Sequence, residues 1–339
     1  MVDAMPGNPH AYSNSTLDNL AQSTGSPATL DDYTIGWICA LKVEFVAAVE
    51  LLDVKFSAPP GIPRDDDNFY MCGRMRDHNV VIACLPKGKC GVTDAASVAK
   101  DMMRSFTKVH TVLMVGIGGG APSRSHDIRL GDIVVGVPAK ERGGVIHYEF
   151  GKATQDHGFQ RTGHRNSTPT RLLSALQYIE TVHTTCGNQI NSAVDQMIRN
   201  NPLLSDHRKP DPQTDVLFKS SFVHPYNSQD CMQSCITQTD QILRRGNPDD
   251  TRQGPVVHYG LIASADRIMK DANIRDHLAE TEGVLCFEME AAGLMDRCPC
   301  VVIRGICDYS DTHKNDRWQG YAAATAAAYA KELSVQSNI

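Results

Sequence analysis

Short apolar runs that end in glycine or proline recur along most of this 339-residue chain, with stretches of helical spacing between them. This alternation constrains the fold more than any other feature, because runs rich in Val and Ile that alternate with helices are typical of a mostly parallel, buried sheet. Two predicted helices are clear: 93–106 begins with a Thr/Asp capping signal, and 318–333 is so rich in alanine that it should pack very close to its neighbour. The predicted strands are 34–41, 80–85, 111–115, 132–137, 256–262 and 301–306.

The composition divides the chain into three kinds of segment. Residues 1–30 are rich in Ser, Asn, Pro, Gly and Thr, and they have too little apolar surface to offset the entropy of ordering, so we predict a flexible leader. Residues 31–335 are predicted to form a single domain. Within it, residues 185–254 are polar and interrupt the alternation of strands and helices, and we interpret them as an insertion on the same domain.

Charge and cysteine usage exclude several classes of protein. The net charge of −6 and the pI near 6.1 argue against nucleic acid or a membrane surface as the main partner, although a local basic pocket for a phosphate is compatible with them. Eleven cysteines without the dense spacing of a disulfide scaffold, and no apolar signal segment, predict a reducing, cytoplasmic compartment. No window approaches the roughly 20 apolar residues that a membrane span needs.

A glycine-rich stretch, Val115-Gly116-Ile117-Gly118-Gly119-Gly120, comes directly after a predicted strand. Glycines at the carboxyl end of a strand let backbone N–H groups approach an anion or a sugar, so we expect a ligand-binding turn here. Its spacing is neither the dinucleotide fingerprint nor the P-loop, and on its own it is equally compatible with a tight turn.

Carboxylates occur where a buried strand or helix would not ordinarily hold charge. Glu288 and Glu290 lie in the otherwise apolar stretch 286–292, and Asp308 follows the apolar run 301–303. Because a buried carboxylate costs several kcal/mol unless it is paired or used, these acids are candidates for a site. Structural alternatives stay open, since Asp308 could cap a helix and Glu290 could pair with Arg304.

Five motifs in order resemble the purine nucleoside phosphorylase and uridine phosphorylase superfamily, most closely its fungal nucleoside-phosphorylase-like branch, which often occurs fused to repeat domains in immune-receptor-like proteins. The resemblance implies an α/β fold, a three-layer α-β-α sandwich around a twisted, partly closed, mostly parallel sheet. It also implies a small-molecule purine substrate and a homo-oligomer, with a dimer as the expected form. The motifs are 115–120, 147–152, 258–264, 287–291, and 305–309 continuing through 318–321.

The same resemblance assigns roles to residues. Asp308 would supply or share a proton with purine N7, Glu290 would hold the ribose hydroxyls, and Met289 would lie behind the sugar. Gly118 and Gly119 would line the site of the attacking nucleophile. The other predicted substrate contacts are Ile117, Glu288, the backbone of Ile268 and Met269 near the base, and His147, for which a purely structural role is equally open.

The nucleophile decides between hydrolysis and phosphorolysis. Phosphorylases of the superfamily carry a Gly-x-Pro-x-Arg type loop after the first strand, whereas the hydrolytic branch, exemplified by methylthioadenosine/S-adenosylhomocysteine nucleosidases, has a glutamate that activates water. Counting from Ile35-Gly36 puts Glu44 at that position, although a glutamate there could also be a charge at a helix N-terminus. We favour hydrolysis. Phosphorolysis, with inorganic phosphate as co-substrate, stays open through four cations: Lys42, Lys87, Lys89 and Arg124.

Two further alternatives concern binding alone. A non-catalytic nucleotide sensor would use the same fold, but a pure binder has no need of Glu44, Glu290 and Asp308 together. Cys231 and Cys235, with His224 upstream, make half of a metal site without a clear fourth ligand, so the sequence predicts no metal. It predicts no organic cofactor either, and it leaves the 5′ substituent of the substrate open.

Overall fold

The computed structural model describes residues 29–336, with gaps at 157, 164, 226–230, 247–253 and 299. Almost all of the predicted leader lies outside these residues. The strands in the described part are β1 (Ile35–Cys39), β2 (Val54–Phe56), β3 (Tyr70–Met75), β4 (His78–Cys84), β5 (Thr111–Gly120), β6 (Ile133–Gly136), β7 (Val145–His147), β8 (Gly151–Thr154), β9 (Gly158–Arg161), β10 (Val257–Ser264), β11 (Val284–Glu288) and β12 (Cys300–Asp308).

Eight α-helices occur in the same described residues, and none of them is long and apolar enough to cross a membrane. Four short 3₁₀ helices, Leu30–Asp32, Ser205–His207, Pro212–Thr214 and Thr239–Gln241, lie in the connections. The α-helices are α1 (Lys42–Glu50), α2 (Val92–Ser105), α3 (Thr170–Cys186), α4 (Ile190–Asn200), α5 (Cys231–Ser234), α6 (Ala272–Glu282), α7 (Ala291–Leu294) and α8 (Gln319–Gln336).

The central sheet is twisted, mostly parallel and partly closed, as the sequence predicted. Its strand order is β11-β10-β6-β12-β5-β1-β4-β3-β2, with β7 beside β10. The long strand β5 pairs in parallel with β1 and β12, and its last residues also pair antiparallel with β11. This last pairing joins β11, β10, β6, β12 and β5 into a ring, and it brings the carboxyl ends of β5, β11 and β12 together.

Helices cover the two faces of the sheet and give the predicted three layers. One face packs against α2 and α7, and the other packs against α1, α3, α4 and α8. The alanine-rich helix α8 approaches β12 so closely that a side chain at Gly305 would collide with the backbone of Ala322. The expectation of very close packing for this helix is therefore confirmed.

The predicted insertion, residues 185–254, contains an element of the core. Helix α4 buries Ile190, Val194 and Met197 in the same apolar cluster as α8. Beyond α4, the described part of the segment consists of short helical turns, α5 and connecting loops. The interpretation of the whole segment as an insertion stays a prediction, but its first third packs as an ordinary layer of the sandwich.

Candidate active site

A cleft of about 720 Å³ opens where the carboxyl ends of β5, β11 and β12 meet. Open α/β sheets bind ligands at this edge, because the loops that follow the strands can supply polar groups there. The cleft brings together ten of the eleven predicted site residues: Glu44, Ile117, Gly118, Gly119, Ile268, Met269, Glu288, Met289, Glu290 and Asp308.

Glu44 lies in the first turn of α1 and is almost fully buried. Its Oε2 accepts hydrogen bonds from the backbone N–H groups of Ala40, at 2.7 Å, and Leu41, at 2.9 Å, as a charge at a helix N-terminus would. Its Oε1 reaches across to β5 and accepts from the N–H of Ile117 at 2.8 Å. Burial raises the pKa of Glu44, against the opposing effects of Arg304 and of these N–H groups. The side chain thus links the first strand to the glycine-rich strand.

A buried arginine organises the two acids at the carboxyl end of β11. The guanidinium of Arg304, on β12, donates to Glu288 and lies 3.4 Å from Glu290 Oε2. Burial raises the pKa of Glu290; Arg304 opposes this rise, and the charges of Glu288 and Glu44 add to it. The predicted structural contact between Glu290 and Arg304 therefore exists, and Glu290 nevertheless lines the cleft.

Glu288 has a different environment from Glu290. Its carboxylate accepts from the backbone N–H groups of Glu290, at 3.1 Å, and of Ala291, at 3.0 and 3.2 Å, in addition to the Arg304 contact. These bonds fix the turn between β11 and α7. Glu288 is thus positioned to orient Glu290, with fewer acceptor sites left for a ligand.

Asp308 ends β12 and lines the same cleft. Its Oδ1 accepts from the N–H of Ser310 at 2.8 Å, and its Oδ2 accepts from the ammonium of Lys314 at 2.7 Å. Ser310 adopts a positive φ of 53°, which turns its N–H back toward the carboxylate. Burial lowers the pKa of Lys314, but Asp308 and neighbouring groups more than compensate, so that its pKa is raised. Asp308 does not cap a helix, and that structural alternative is wrong.

The glycine-rich stretch is not a turn, and this expectation is corrected. Residues 116–120 continue β5, and Gly119 and Gly120 pair with Phe287 and Cys286 of β11. Glycine is needed here because a larger side chain would not fit, and not because the backbone turns. A side chain at Gly116 would collide with Glu44 and Arg304, and one at Gly119 would collide with Ser310 and Asp308. The glycines make room for the acids of the cleft.

The structure does not bring His147 into this cleft. His147 lines a smaller neighbouring pocket, where its Nδ1 lies 3.0 Å from Arg165 and its ring stacks on Phe150. None of the four cations predicted to favour phosphorolysis lines the cleft either, and all four are exposed on the surface: Lys42, Lys87, Lys89 and Arg124.

Three residues that contact or lie beside the acids of the site were missed as functional candidates. Arg304 interrupts an apolar strand, and this buried charge was the signal available in the sequence. Lys314 and Ser310 lie in an irregular loop, so that their contacts with Asp308 depend on the loop's conformation. The hydroxyl of Ser310 is buried and, within the described part of the chain, has no hydrogen-bond partner, which leaves it available to a ligand.

Curated relatives cover most of this chain. A nucleotide-binding leucine-rich repeat (NLR)-like protein of Hyaloscypha variabilis is 43% identical over 303 residues, which make up 89% of this chain and 29% of that protein. The ATP nucleosidase Cap17 of Escherichia coli is 23% identical over 296 residues, 86% of this chain and 48% of that protein. The chain thus spans less than half the length of both relatives.

Solved structures show the same fold. The 5′-methylthioadenosine/S-adenosylhomocysteine nucleosidase of Helicobacter pylori, with a bound aminopyrrolopyrimidine compound, has a TM-score of 0.55 and 17% identity, covering 89% of this chain and 98% of its own. This chain therefore has a nucleosidase-like fold. The family model described as the phosphorylase superfamily matches residues 34–334. Together with the closed sheet and its cleft, this match establishes that the chain belongs to the phosphorylase superfamily.

Proposed function

We propose that this protein hydrolyses the N-glycosidic bond of a purine nucleoside or nucleotide, with adenine as the favoured base, and releases the free base and ribose or ribose phosphate. The observation that carries the proposal is the convergence of Glu44, Glu290 and Asp308 on one cleft. Each acid has a different set of partners, as expected for groups that do different work at the nucleophile, the sugar and the leaving base.

In this proposal, Asp308 protonates the leaving base. A purine leaves readily only if N7 gains a proton as the bond to ribose breaks, and a positioned carboxyl group is a suitable acid. Lys314 donates a hydrogen bond to Oδ2 of Asp308, so its ammonium fixes the carboxyl group and stabilises the carboxylate that remains once the proton has moved to N7. The free hydroxyl of Ser310, beside Asp308, can accept from or donate to the edge of the base.

In this proposal, Glu44 binds and activates the water molecule that acts as the nucleophile. A carboxylate offers about four acceptor sites, and three of those on Glu44 are taken by backbone N–H groups, which leaves one for a water molecule. Its raised pKa makes it a better base than an ordinary glutamate. Among the described residues, the carboxyl groups of Glu44, Glu288 and Glu290 surround the guanidinium of Arg304, an arrangement that is unfavourable for a phosphate nucleophile.

In this proposal, Glu290 binds the hydroxyl groups of the ribose. A carboxylate can accept hydrogen bonds from two neighbouring hydroxyls, and Met289 presents an apolar surface beside it. As the base departs, positive charge develops on the ribose, and the carboxyl groups of Glu290 and its neighbours stabilise that charge. The same carboxyl groups thus favour the transition state of hydrolysis and disfavour inorganic phosphate as the nucleophile.

The 5′ end of the substrate faces exposed cations in this proposal. Arg267 and Lys270 line the cleft from the loop that also holds Ile268 and Met269, and both are exposed to solvent. A nucleotide could place its phosphates against them. The relative named as an ATP nucleosidase and the adenine-like ligand of the neighbouring structure support adenine and a phosphorylated 5′ end.

Two properties accompany this proposal. We infer that the protein acts in the cytoplasm, because the spacing of its eleven cysteines is unlike that of a disulfide scaffold. We also infer a homo-oligomer, since Phe150 and Phe159 lie about half exposed around the β8–β9 hairpin, and large exposed aromatic groups suit an interface. Light scattering coupled to size-exclusion chromatography tests the second inference, and a monomer at micromolar concentration would refute it.

The decisive experiment measures release of free base from adenosine, guanosine, inosine, AMP and ATP, each with and without inorganic phosphate. We expect adenine release without phosphate, and the co-product should be ribose or a ribose phosphate. Glu280→Gln, which changes an exposed carboxylate outside the cleft, is the matched control and should keep wild-type rates. Base release that requires phosphate would establish a phosphorylase instead, and binding without turnover would establish a sensor.

A further inference from the structure

Four side chains with metal-binding atoms lie close together beside the loop that follows β12 and carries Lys314. They are His224, Cys231, Cys235 and His313, and one ligand atom from each lies within 4.8 Å of all the others. Cys235 and His313 are buried, and the other two are partly buried. The fourth ligand, His313, comes from the loop after β12, far from the other three in sequence, so that spacing alone cannot reveal the set.

The distances within the cluster suit a small ion. Bonds of about 2.0–2.3 Å from zinc to nitrogen and sulfur put tetrahedral ligands about 3.3–3.8 Å apart. The Nδ1 of His224 lies 3.2 Å from Cys235 Sγ, and Cys231 Sγ lies 3.3 Å from the Nδ1 of His313. Two of the pairs are thus already near the required separation, and the other pairs lie within 4.8 Å.

The surroundings of His313 orient one ring nitrogen for ligation. Its Nε2 lies 3.1 Å from the carbonyl oxygen of Phe222, and a carbonyl can only accept, so Nε2 carries the hydrogen. The lone pair of Nδ1 then faces Cys231. The ring also stacks against Phe218 and Phe222, with centroids 4.1 and 4.9 Å away. Metal-binding histidines characteristically have this arrangement, in which a carbonyl holds the other nitrogen.

A second contact holds His224 at the cluster. Its backbone N–H donates to the hydroxyl of Thr312 at 2.9 Å, which places the residue beside the loop that carries His313. The cluster therefore joins two separate segments, the region 224–235 and the loop after β12.

We propose that this cluster binds one zinc ion through the Nδ1 atoms of His224 and His313 and the Sγ atoms of Cys231 and Cys235. Two thiolates and two imidazoles in a tetrahedral set select zinc over the hard cations magnesium and calcium. Both thiols release their protons to solvent on binding, so the two negative charges balance the ion. Because the protein fills all four positions, the ion is structural and has no position open for substrate.

The position of the site gives it a consequence for the cleft. His313 directly precedes Lys314, whose ammonium donates to Asp308. Zinc on His313 fixes the backbone of this loop from one side, and the carboxylate of Asp308 fixes Lys314 from the other. The ion thus connects the polar region 224–235 to the wall of the active site.

The test measures metal in the full chain, purified from zinc-supplemented cells and dialysed without chelator. We expect about one zinc per chain by inductively coupled plasma mass spectrometry, and a loss of at least about tenfold in Cys231→Ser and Cys235→Ser. Cys186→Ser and His277→Gln change exposed residues outside the cluster and should retain the metal. Cobalt replacing zinc in the wild type should give the absorption of a tetrahedral ion with two thiolates, a readout that needs no variant to fold.

Three outcomes would overturn the proposal. One is a wild-type protein with less than about a tenth of a zinc per chain that also takes up no cobalt. A second is zinc content that persists in the double variant Cys231→Ser/Cys235→Ser. A third is the loss of two free thiols in the wild type with no metal, which would assign Cys231 and Cys235 to a disulfide. None of these results depends on nucleosidase activity, so the metal site and the proposed reaction stand or fall separately.

Discussion

Replacing Asp308 by asparagine tests the proposed acid, because it keeps the shape of the side chain and removes its ability to carry a proton to the base. General acid catalysis contributes about 10²- to 10⁴-fold, which corresponds to about 2.7–5.4 kcal/mol of barrier at about 1.36 kcal/mol per tenfold. We therefore expect turnover to fall at least about a hundredfold in single-turnover measurements of adenine release.

The structure also predicts a separate effect on stability. The carboxylate of Asp308 accepts from both the N–H of Ser310 and the ammonium of Lys314, and an asparagine must turn its NH₂ group toward one of these donors. Because Asp308 is almost fully buried and Lys314 mostly so, losing one charge-assisted bond should lower the free energy of unfolding by about 1–3 kcal/mol. Urea unfolding measures this loss.

A double variant separates the two effects. Asp308→Asn/Lys314→Met removes the ammonium that opposes the amide, so it should recover part of the lost stability while adenine release stays at least about a hundredfold slow. The reasoning is refuted if Asp308→Asn releases adenine within about tenfold of the wild-type rate. It is also refuted if activity returns together with stability in the double variant.

Three other substitutions probe the rest of the cleft. Glu44→Gln should slow hydrolysis at least about a hundredfold while calorimetry shows nearly unchanged binding of adenine, and a loss of binding instead would assign Glu44 a structural role. Arg304→Met should lower the free energy of unfolding in urea by about 3–5 kcal/mol, because it leaves Glu288 and Glu290 buried without their counter-ion; a change below about 1 kcal/mol would contradict this. Since the pKa of Glu290 is raised, the folded protein keeps a proton that the unfolded chain has lost, so wild-type stability should fall as pH rises above the ordinary value of 4.5. Glu290→Gln should reduce that fall between about pH 5 and about pH 8, and an unchanged slope would rule out its raised pKa.

The strands and helices of the core were predictable because their apolar spacing reflects local geometry. Strands β1, β4, β5, β6, β10 and β12 overlap the predicted runs, and α2 and α8 overlap the predicted helices. The acids were recognisable for a similar reason, since charge in an apolar stretch is costly wherever it occurs. The resemblance to a family then supplied their roles, which the cleft makes geometrically compatible.

What the sequence could not predict depends on contacts between distant segments. The extension of β5 through its glycines requires pairing with β11, which lies more than 160 residues later in the chain. The side chain of His147 lies in a neighbouring pocket because Arg165 and Phe150 hold it there. His313 joins the cysteines only through the conformation of the loop after β12. The periodicity and spacing of residues carry no information about contacts between segments that are distant in the sequence.

The ring of strands β11, β10, β6, β12 and β5 has a consequence for protein synthesis. Glu44 emerges from the ribosome long before Asp308 and the strand that carries it, and β5 cannot complete its pairing until β11 and β12 have been made. At about 5–20 residues per second, more than ten seconds separate the two acids. A nascent chain that stops before β12 lacks Asp308 and the buried Arg304 together. Such incomplete chains should therefore lack the proposed base-releasing activity.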